Sequence, residues 1–145
     1  MSSSVSKDTS IAVVGLGYVG LPLALALDRH FPVTGYDTST ERLDNLRKGS
    51  DSTLEVCRKD LQYATLKYTN EPRELAGHNI YIVTVPTPID ANNVPDLTAV
   101  KKASRTIGKV ITPGAIIVFE STVFPGVTED ICGPEIEGAS KLKCG

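Results

Sequence analysis

The chain has 145 residues, enough for one domain with a substantial buried core and too few for two ordinary domains. Its 41% hydrophobic and 22% charged residues are typical of a soluble globular protein, and a formal net charge of −2 argues against partners such as nucleic acid or an anionic membrane. Glycines and Pro22 interrupt the longest apolar stretch, 11–27, so the sequence predicts neither a transmembrane span nor a signal peptide.

Strands and helices alternate along the chain. The β-branched run at 10–14 predicts a buried strand, and the leucine-rich segment 18–30 predicts a helix that is buried over most of its surface, with Pro22 in its first turn. The other predicted strands are 33–37, 66–70, 80–85 and 115–119. The other predicted helices are 38–49, capped by Thr38 or Ser39 and stopped by Gly49, then 96–111, capped by Asp96, and 127–139.

Three weaker features complete this pattern. Segment 51–65 is harder to interpret and is best read as a helix around 54–61, 71–76 predicts a short helical turn, and Leu142 is expected to open another strand. The alternation predicts an α/β fold, a Rossmann-type doubly wound parallel sheet in a single domain. We expect a disordered segment at 1–8 and the domain at 9–145, cut from a longer protein near its sixth strand.

A glycine-rich loop connects the first predicted strand to the first helix. The sequence Gly15-Leu16-Gly17-Tyr18-Val19-Gly20 matches GxGxxG in the strand–helix context that dinucleotide binding requires. Gly15 permits the tight turn, Gly17 lets the backbone approach a pyrophosphate, and Gly20 lets helix and strand pack closely. The N–H groups of Tyr18 and Val19 would then face the phosphates.

Asp37 ends the second predicted strand, 22 residues after Gly15 (37 − 15), close to the spacing of the acid that binds the adenosine ribose. Its carboxylate would accept hydrogen bonds from the 2′-OH and repel a 2′-phosphate, which predicts NAD rather than NADP as the cofactor. The alternative is a tight strand–helix turn followed by a helix-capping aspartate.

Arg42 lies on the following predicted helix and has three interpretations. An arginine here can bind a 2′-phosphate, which competes with the prediction from Asp37. Its guanidinium can instead lie against the adenine ring, or it can be a solvated helix residue. Asp37 at the strand end favours NAD, so we include Arg42 among the NAD-binding residues.

Cysteines and histidines offer no further site. Cys57, Cys132 and Cys144 are widely separated, show neither a disulfide framework nor metal-ligand spacing, and favour a reducing cytoplasm. His30 and His78 stand alone and are expected to be structural or solvated. The sequence therefore predicts no metal site.

Two segments follow later strands at the predicted ligand edge of the sheet: Val85-Pro86-Thr87-Pro88 and Glu120-Ser121-Thr122-Val123-Phe124-Pro125-Gly126. Together with the glycine loop they make residues 11–138 resemble the N-terminal NAD-binding domain of the UDP-glucose/GDP-mannose dehydrogenase family. The run Val94-Pro95-Asp96-Leu97-Thr98 strengthens the resemblance to the branch that oxidises UDP-N-acetylhexosamines. Segment 51–65 departs from the better-known sugar dehydrogenases and agrees better with that branch.

The resemblance implies roles for two threonines. Thr87, stiffened by the prolines on either side, would point toward the nicotinamide ribose, and Thr122 would contact the nicotinamide end or a catalytic water. Thr122 is thus the one catalytic candidate in this chain. The alternatives are a rigid turn at Thr87 and a helix cap at Thr122. Glu120 could act as a base, but its position is only inferred.

The resemblance also implies the reaction of the family. The C6 alcohol of a UDP-sugar is oxidised to a uronic acid by two NAD, with a cysteine that captures the aldehyde, for polysaccharide biosynthesis. That cysteine, a lysine and an asparagine would lie beyond this chain, with a linker helix and a UDP-sugar domain, in a parent that is a homodimer or larger. The alternatives are a stand-alone NAD-binding module, or another NAD-dependent dehydrogenase of the hydroxyacid or 6-phosphogluconate type.

Overall fold

A computed structural model describes residues 8–121 and 125–144, so the expected disordered segment lies outside the described residues except for Asp8. The described chain forms one five-stranded parallel sheet in the order β3-β2-β1-β4-β5. The strands are β1 (Ile11–Val14), β2 (Val33–Tyr36), β3 (Lys67–Thr69), β4 (Ile80–Val83) and β5 (Ile116–Phe119). The helices are α1 (Gly20–Asp28), α2 (Thr40–Arg47), α3 (Arg58–Tyr63), α4 (Thr98–Gly108) and α5 (Gly133–Ser140).

The central strand β1 is buried on both faces because all four of its residues are apolar. Ile11 and Val13 contribute to a core layer beneath α1 and α2, whereas Ala12 and Val14 contribute to a second layer beneath α4. Side chains of successive strand residues point to opposite faces, so one short strand supplies both layers. This arrangement confirms the predicted doubly wound α/β fold.

The register of the sheet aligns the ends of three strands. Val14 of β1 is the partner of Tyr36 in β2 and of Val83 in β4. The loops that follow these strands therefore emerge side by side at one edge, where open parallel sheets bind their ligands.

Helix α1 is shorter and less buried than the sequence predicts. It begins at Gly20, and only Gly20, Leu21 and Ala24 are fully buried, while the later leucines are partly exposed. The cause is their spacing. Leucines two residues apart fall on nearly opposite sides of a helix, so one surface cannot bury all of them.

The helix boundaries follow local signals. Ser39 caps α2 by accepting a hydrogen bond from the Arg42 N–H at 3.2 Å, and Gly49, with a φ of 81°, follows its end. The predicted cap of α4 is displaced by one position, because Leu97 is the cap residue and Asp96 accepts from the Thr98 N–H at 2.9 Å. The helical turn predicted at 71–76 is confirmed as a 3₁₀ turn (Pro72–Leu75).

The last third of the chain differs most from the sequence prediction. The helix predicted at 127–139 is a π-helical turn (Thr128–Cys132) followed by α5, and Pro134, which lacks an N–H, lies where they meet. The strand predicted at Leu142 is wrong, since residues 142–144 have no regular structure after the left-handed Lys141. Strand β5 is apolar but lies at the sheet edge, where Ile116 is 58% exposed.

The described ranges 8–121 and 125–144 include no helix of the length and apolar character that a membrane crossing requires.

Close packing between α4 and α5 yields a prediction. A Cβ added to Gly108 would lie 2.8 Å from the Cβ of Ala139 and 3.0 Å from the Ile136 carbonyl oxygen. We expect Gly108→Ala to lower the free energy of unfolding by about 1–3 kcal/mol through overpacking. Gly138→Ala is the matched control in α5, because a Cβ there meets no described atom within 4 Å. Urea unfolding measures both, and equal stabilities would contradict the packing described here.

Candidate functional site

A cleft of about 810 Å³ lies at the aligned carboxyl ends of β1, β2 and β4, a size typical of small-molecule and cofactor sites. Its wall includes Gly15 and Gly17 of the glycine loop, Asp37 at the end of β2 and Arg42 on α2. The cleft thus brings together four of the nine residues that the sequence predicts for NAD, and Tyr18, Val19 and Gly20 follow Gly17 directly in the chain.

The turn at Gly15 is pressed against the end of β4. Gly15 has a φ of 103°, and a Cβ there would lie 2.9 Å from the Val85 nitrogen. The buried Thr84 hydroxyl donates a hydrogen bond to the Gly15 carbonyl at 2.6 Å. A Cβ on Gly20 would overlap both the Gly15 carbonyl oxygen and the Thr84 hydroxyl, so the close packing predicted for Gly20 is present.

Sequence reasoning missed Thr84. Its only signal was a polar residue directly after the apolar run Ile80-Tyr81-Ile82-Val83. That signal does not indicate the hydrogen-bond partner of Thr84, because Gly15 is 69 positions away in the chain.

Gly17 has the open surroundings that its predicted role requires. A Cβ there meets no described atom within 4 Å, and the residue lines the cleft. Next to it Tyr18 and Val19 are 67% and 42% exposed, and their N–H groups donate no hydrogen bond to any residue between 8 and 121 or 125 and 144. Free amide donors beside a glycine at the start of a helix fit the pyrophosphate of a dinucleotide.

Asp37 holds the loop and remains open to a ligand. Its Oδ2 accepts from the Leu16 N–H at 3.0 Å, and its Oδ1 accepts from the Ser39 N–H at 2.9 Å. A carboxylate has about four lone-pair sites, and this side chain is only half-buried, so acceptor capacity remains for a ribose hydroxyl. Asp37 therefore has a structural role in the turn, as the alternative interpretation expected. It is not the helix cap, because that position belongs to Ser39.

Arg42 is not a solvated helix arginine, since its side chain is only 10% exposed. Nε donates to the Leu16 carbonyl at 2.8 Å, and Nη1 donates to Asp51 Oδ1 at 2.8 Å and to the Ser52 hydroxyl at 3.0 Å. Nη2 is buried and has no hydrogen-bond partner among the described residues. Leu16 is thus bonded through its N–H by Asp37 and through its carbonyl by Arg42.

The other end of this contact is Asp51, whose side chain is fully buried. Its carboxylate accepts from the N–H and hydroxyl of Thr53 and from the N–H groups of Glu55 and Val56, all within 3.0 Å. Burial raises the pKa of Asp51, but the hydrogen bonds from Thr53, Arg42 and Val56 outweigh it and lower the pKa to about 2. Segment 51–56 is therefore a loop folded around one carboxylate, and the helix expected around 54–61 begins only at Arg58.

The proposed nicotinamide end is only partly described. Pro86 and Pro88 line the cleft and the half-buried Thr87 lies between them, while Thr122 lies outside the described residues. The Ser121 hydroxyl donates to the Val85 carbonyl at 2.7 Å, which brings the end of β5 beside the end of β4. The roles of Thr87 and Thr122 stay predictions, and Glu120 is exposed.

The cysteines do not form a second site. Cys57 and Cys144 are exposed and lie away from the cleft wall, and burial raises the pKa of the Cys132 thiol. Among the residues that the structure describes, no group of three or more His, Cys, Asp or Glu side chains is placed to hold a metal. His78 lies between the Leu75 carbonyl and the Thr34 hydroxyl, each 2.9 Å from a ring nitrogen, so its role is structural.

Comparisons with known proteins agree with this geometry. Residues 9–145 match the model of the UDP-glucose/GDP-mannose dehydrogenase family, NAD binding domain. A UDP-N-acetyl-D-glucosamine 6-dehydrogenase of Pseudomonas aeruginosa is 50% identical over 138 residues, which cover 94% of this chain and 33% of that protein. Protein CapL of Staphylococcus aureus is 47% identical, with 94% of this chain and 32% of that protein covered.

Solved structures show the same similarity. The UDP-D-ManNAc dehydrogenase of Pyrococcus horikoshii has a TM-score of 0.85 and 34% identity, over 94% of this chain and 34% of that one. A ternary complex of GDP-mannose dehydrogenase from Pseudomonas aeruginosa has a TM-score of 0.85 and 29% identity, over 92% of this chain and 33% of that one.

The open position at Gly17 gives a prediction for binding. Gly17→Val should leave the thermal unfolding temperature nearly unchanged and reduce NAD affinity at least about tenfold, because its side chain would occupy the approach of the pyrophosphate. Gly138→Val is the control, since that position is equally open but lies on α5, outside the cleft. Calorimetric titration with NAD measures the effect. Normal NAD binding by Gly17→Val would show that the glycine loop is only a structural turn.

Proposed function

This chain belongs to the UDP-glucose/GDP-mannose dehydrogenase family as its NAD-binding domain, and from that membership we propose the activity of the longer protein. The chain spans about a third of the length of the curated relatives that it matches. We propose that the complete protein oxidises the C6 alcohol of a UDP-N-acetylhexosamine to a uronic acid with two NAD, for polysaccharide biosynthesis. The observation that carries the proposal is the cleft in which Gly17, Asp37 and Arg42 meet.

Two findings support this substrate class. The relative with 50% identity is named for UDP-N-acetyl-D-glucosamine, and relatives at 33–36% identity are named for UDP-N-acetyl-D-mannosamine. Membership in this family also argues against the alternative of a hydroxyacid or 6-phosphogluconate dehydrogenase. A stand-alone NAD-binding module differs from our proposal in what the longer protein does, so turnover separates the two.

Bound NAD supplies the hydride acceptor for such an oxidation. The chain's own part is to hold and orient it. In our proposal Gly17 and the N–H groups of Tyr18 and Val19 receive the pyrophosphate, and Gly15 and Gly20 let the loop lie close to β4. Thr87 would orient the nicotinamide ribose, and Thr122 would contact the nicotinamide end.

The adenosine end determines the choice of dinucleotide. Asp37 lines the cleft beside Arg42 and keeps lone pairs free for the 2′-OH of the ribose. A 2′-phosphate at that place would meet a carboxylate, and like charges at close range repel. We therefore propose that the domain selects NAD over NADP.

The proposal extends to location and assembly. The three cysteines form no disulfide within the described ranges, which supports a reducing cytoplasm. In our proposal the UDP-sugar binds mainly to the linker helix and UDP-sugar domain that the family resemblance implies. The complete protein would be a homodimer or a larger oligomer.

Our first prediction here concerns the choice between dinucleotides. Calorimetry should show tighter binding of NAD than of NADP, and Asp37→Ala should weaken NAD binding by about 1–3 kcal/mol, the scale of a hydrogen bond to a charged group. Asp44→Ala is the control, because Asp44 is an exposed aspartate of α2 that pairs with Arg47 outside the cleft. Equal affinity for the two cofactors would refute the role proposed for Asp37.

A second prediction concerns turnover. The 145-residue chain should produce no NADH from any UDP-sugar at saturating NAD, because oxidation of an alcohol to an acid needs a nucleophile that traps the aldehyde. Among the described residues, the buried thiol of Cys132 has a raised pKa, and the exposed Cys57 and Cys144 lie outside the cleft.

The assay follows NADH absorbance with UDP-N-acetylglucosamine, UDP-N-acetylgalactosamine, UDP-N-acetylmannosamine and UDP-glucose. NAD should still raise the thermal unfolding temperature of the inactive chain. Sustained NADH production that is lost in Cys132→Ser or Cys144→Ser would place the catalytic centre in this domain and contradict the proposal. A longer protein that binds NAD but oxidises none of these sugars would favour the stand-alone module.

A further inference from the structure

Arg42, which lines the cleft, forms a buried ion pair with Asp51 behind it in sequence segment 51–56. Nη1 of Arg42 and Oδ1 of Asp51 are 2.8 Å apart, and their side chains are 10% and 0% exposed. Exposed ion pairs contribute little to stability, but a buried carboxylate this close to a guanidinium interacts with it more strongly, because the surroundings screen the two charges less than water does. Of the four ion pairs recorded among the described residues, the other three join side chains that are at least a quarter exposed.

The position of Arg42 makes this pair relevant to the cofactor. In folds of this kind an arginine near the end of the second strand accommodates the 2′-phosphate of NADP. Here Arg42 lines the cleft and donates to the carbonyl of Leu16, whose N–H donates to Asp37. The guanidinium is therefore near the place where a 2′-phosphate would lie, but its Nε and Nη1 already donate to Leu16, Asp51 and Ser52, and its Nη2 is buried.

We propose that Asp51 is a positioning residue that sets cofactor specificity, because it holds Arg42 against the glycine loop and withdraws its positive charge from the 2′ position of the ribose. The inference rests on the proposed binding of NAD and deepens it. Asp37 repels a 2′-phosphate directly, whereas Asp51 pairs with the arginine that would otherwise attract one. Two carboxylates, 14 positions apart (51 − 37), would then act on the same specificity.

The loop around Asp51 explains how its position is kept. The carboxylate accepts two bonds from Thr53 and one each from the N–H groups of Glu55 and Val56, so it cannot turn away from Arg42 without breaking the loop. Ser52 and Thr53 are themselves part of the cleft wall. The same contacts thus shape the wall and fix the charge of its arginine.

Asp51→Asn tests the inference, because the amide is nearly the same size but carries no charge. The ratio of the NAD dissociation constant to the NADP dissociation constant should rise about tenfold, the value of one charge-assisted hydrogen bond to phosphate. If Asp51 has only a structural role in the loop, Asp51→Asn would weaken the binding of both cofactors by the same factor and leave this ratio unchanged. Calorimetry with the 145-residue chain measures both constants.

Asp28→Asn is the matched control. Asp28 also accepts bonds from a backbone N–H and a hydroxyl, those of Thr65 at 2.7 and 2.9 Å, but it lies outside the cleft. Its substitution should leave the ratio unchanged. The double variant Asp51→Asn/Arg42→Gln should lose the gain for NADP. If the gain persists, the cation involved is another one, such as Lys102 on the α4 side of the cleft, and the inference is overturned.

A second variant covers the case in which Asp51→Asn fails to fold. If Asp51 already neutralises Arg42 in the wild type, the double variant Arg42→Gln/Asp51→Asn, which removes both charges and leaves neither partner unpaired, should change the affinities for NAD and NADP by the same factor. A loss confined to NADP would show that Arg42 is free to bind a 2′-phosphate and would overturn the inference. Absence of NAD binding by the wild type would overturn the proposed function as well, whereas normal NAD binding with an unchanged ratio in Asp51→Asn overturns the inference alone.

Discussion

The backbone at Gly15 touches the backbone at Thr84 and Val85, and the rest of the site depends on this contact. It requires a residue without a side chain at a φ of 103°, and the Thr84 hydroxyl holds it by donating to the Gly15 carbonyl. The loop that leaves this turn therefore lies across the ends of the central strands, with Leu16 buried in the core and Gly17 facing the cleft. Asp37 and Arg42 then bind the two polar backbone groups of Leu16, so the cleft residue that follows β2 and the cleft residue on α2 are both tied to the same turn.

The sequence predicts the central part of this site because its signals are local. A β-branched run, three spaced glycines and an acid after the next strand lie within 27 residues (37 − 11 + 1). The strand, Gly15 and Gly20 reflect backbone requirements, either for a buried strand or for a position where a Cβ does not fit, and such requirements survive in the residue types themselves. The doubly wound fold could be predicted for a related reason, since four apolar residues in β1 must be covered on both faces.

What the sequence could not supply are contacts between residues far apart in the chain. Thr84 donates a hydrogen bond to Gly15, and Arg42 donates to Leu16 and Asp51. These contacts arise from tertiary packing, which the hydrophobic periodicity of the sequence does not encode. The three open interpretations of Arg42 had the same origin, because a helix pattern gives the face of a residue but not its partners. The errors in the burial of α1 and in the strand predicted at Leu142 have a different cause. Leucine residues indicate apolar surface, but they do not show how much of that surface a neighbouring helix or strand covers.

The buried carboxylate of Asp51 also makes the stability of the adjoining cleft wall depend on pH. A group whose pKa is lower in the folded chain than in the unfolded chain stabilises the fold above its ordinary pKa, and it loses that contribution as the pH falls through the folded value. For Asp51 this window runs from about 4 down to about 2, and the pKa difference corresponds to about 2 kcal/mol at neutral pH. Acid below this window therefore weakens loop 51–56, because protonation removes the charge that holds both Arg42 and the loop's own amides.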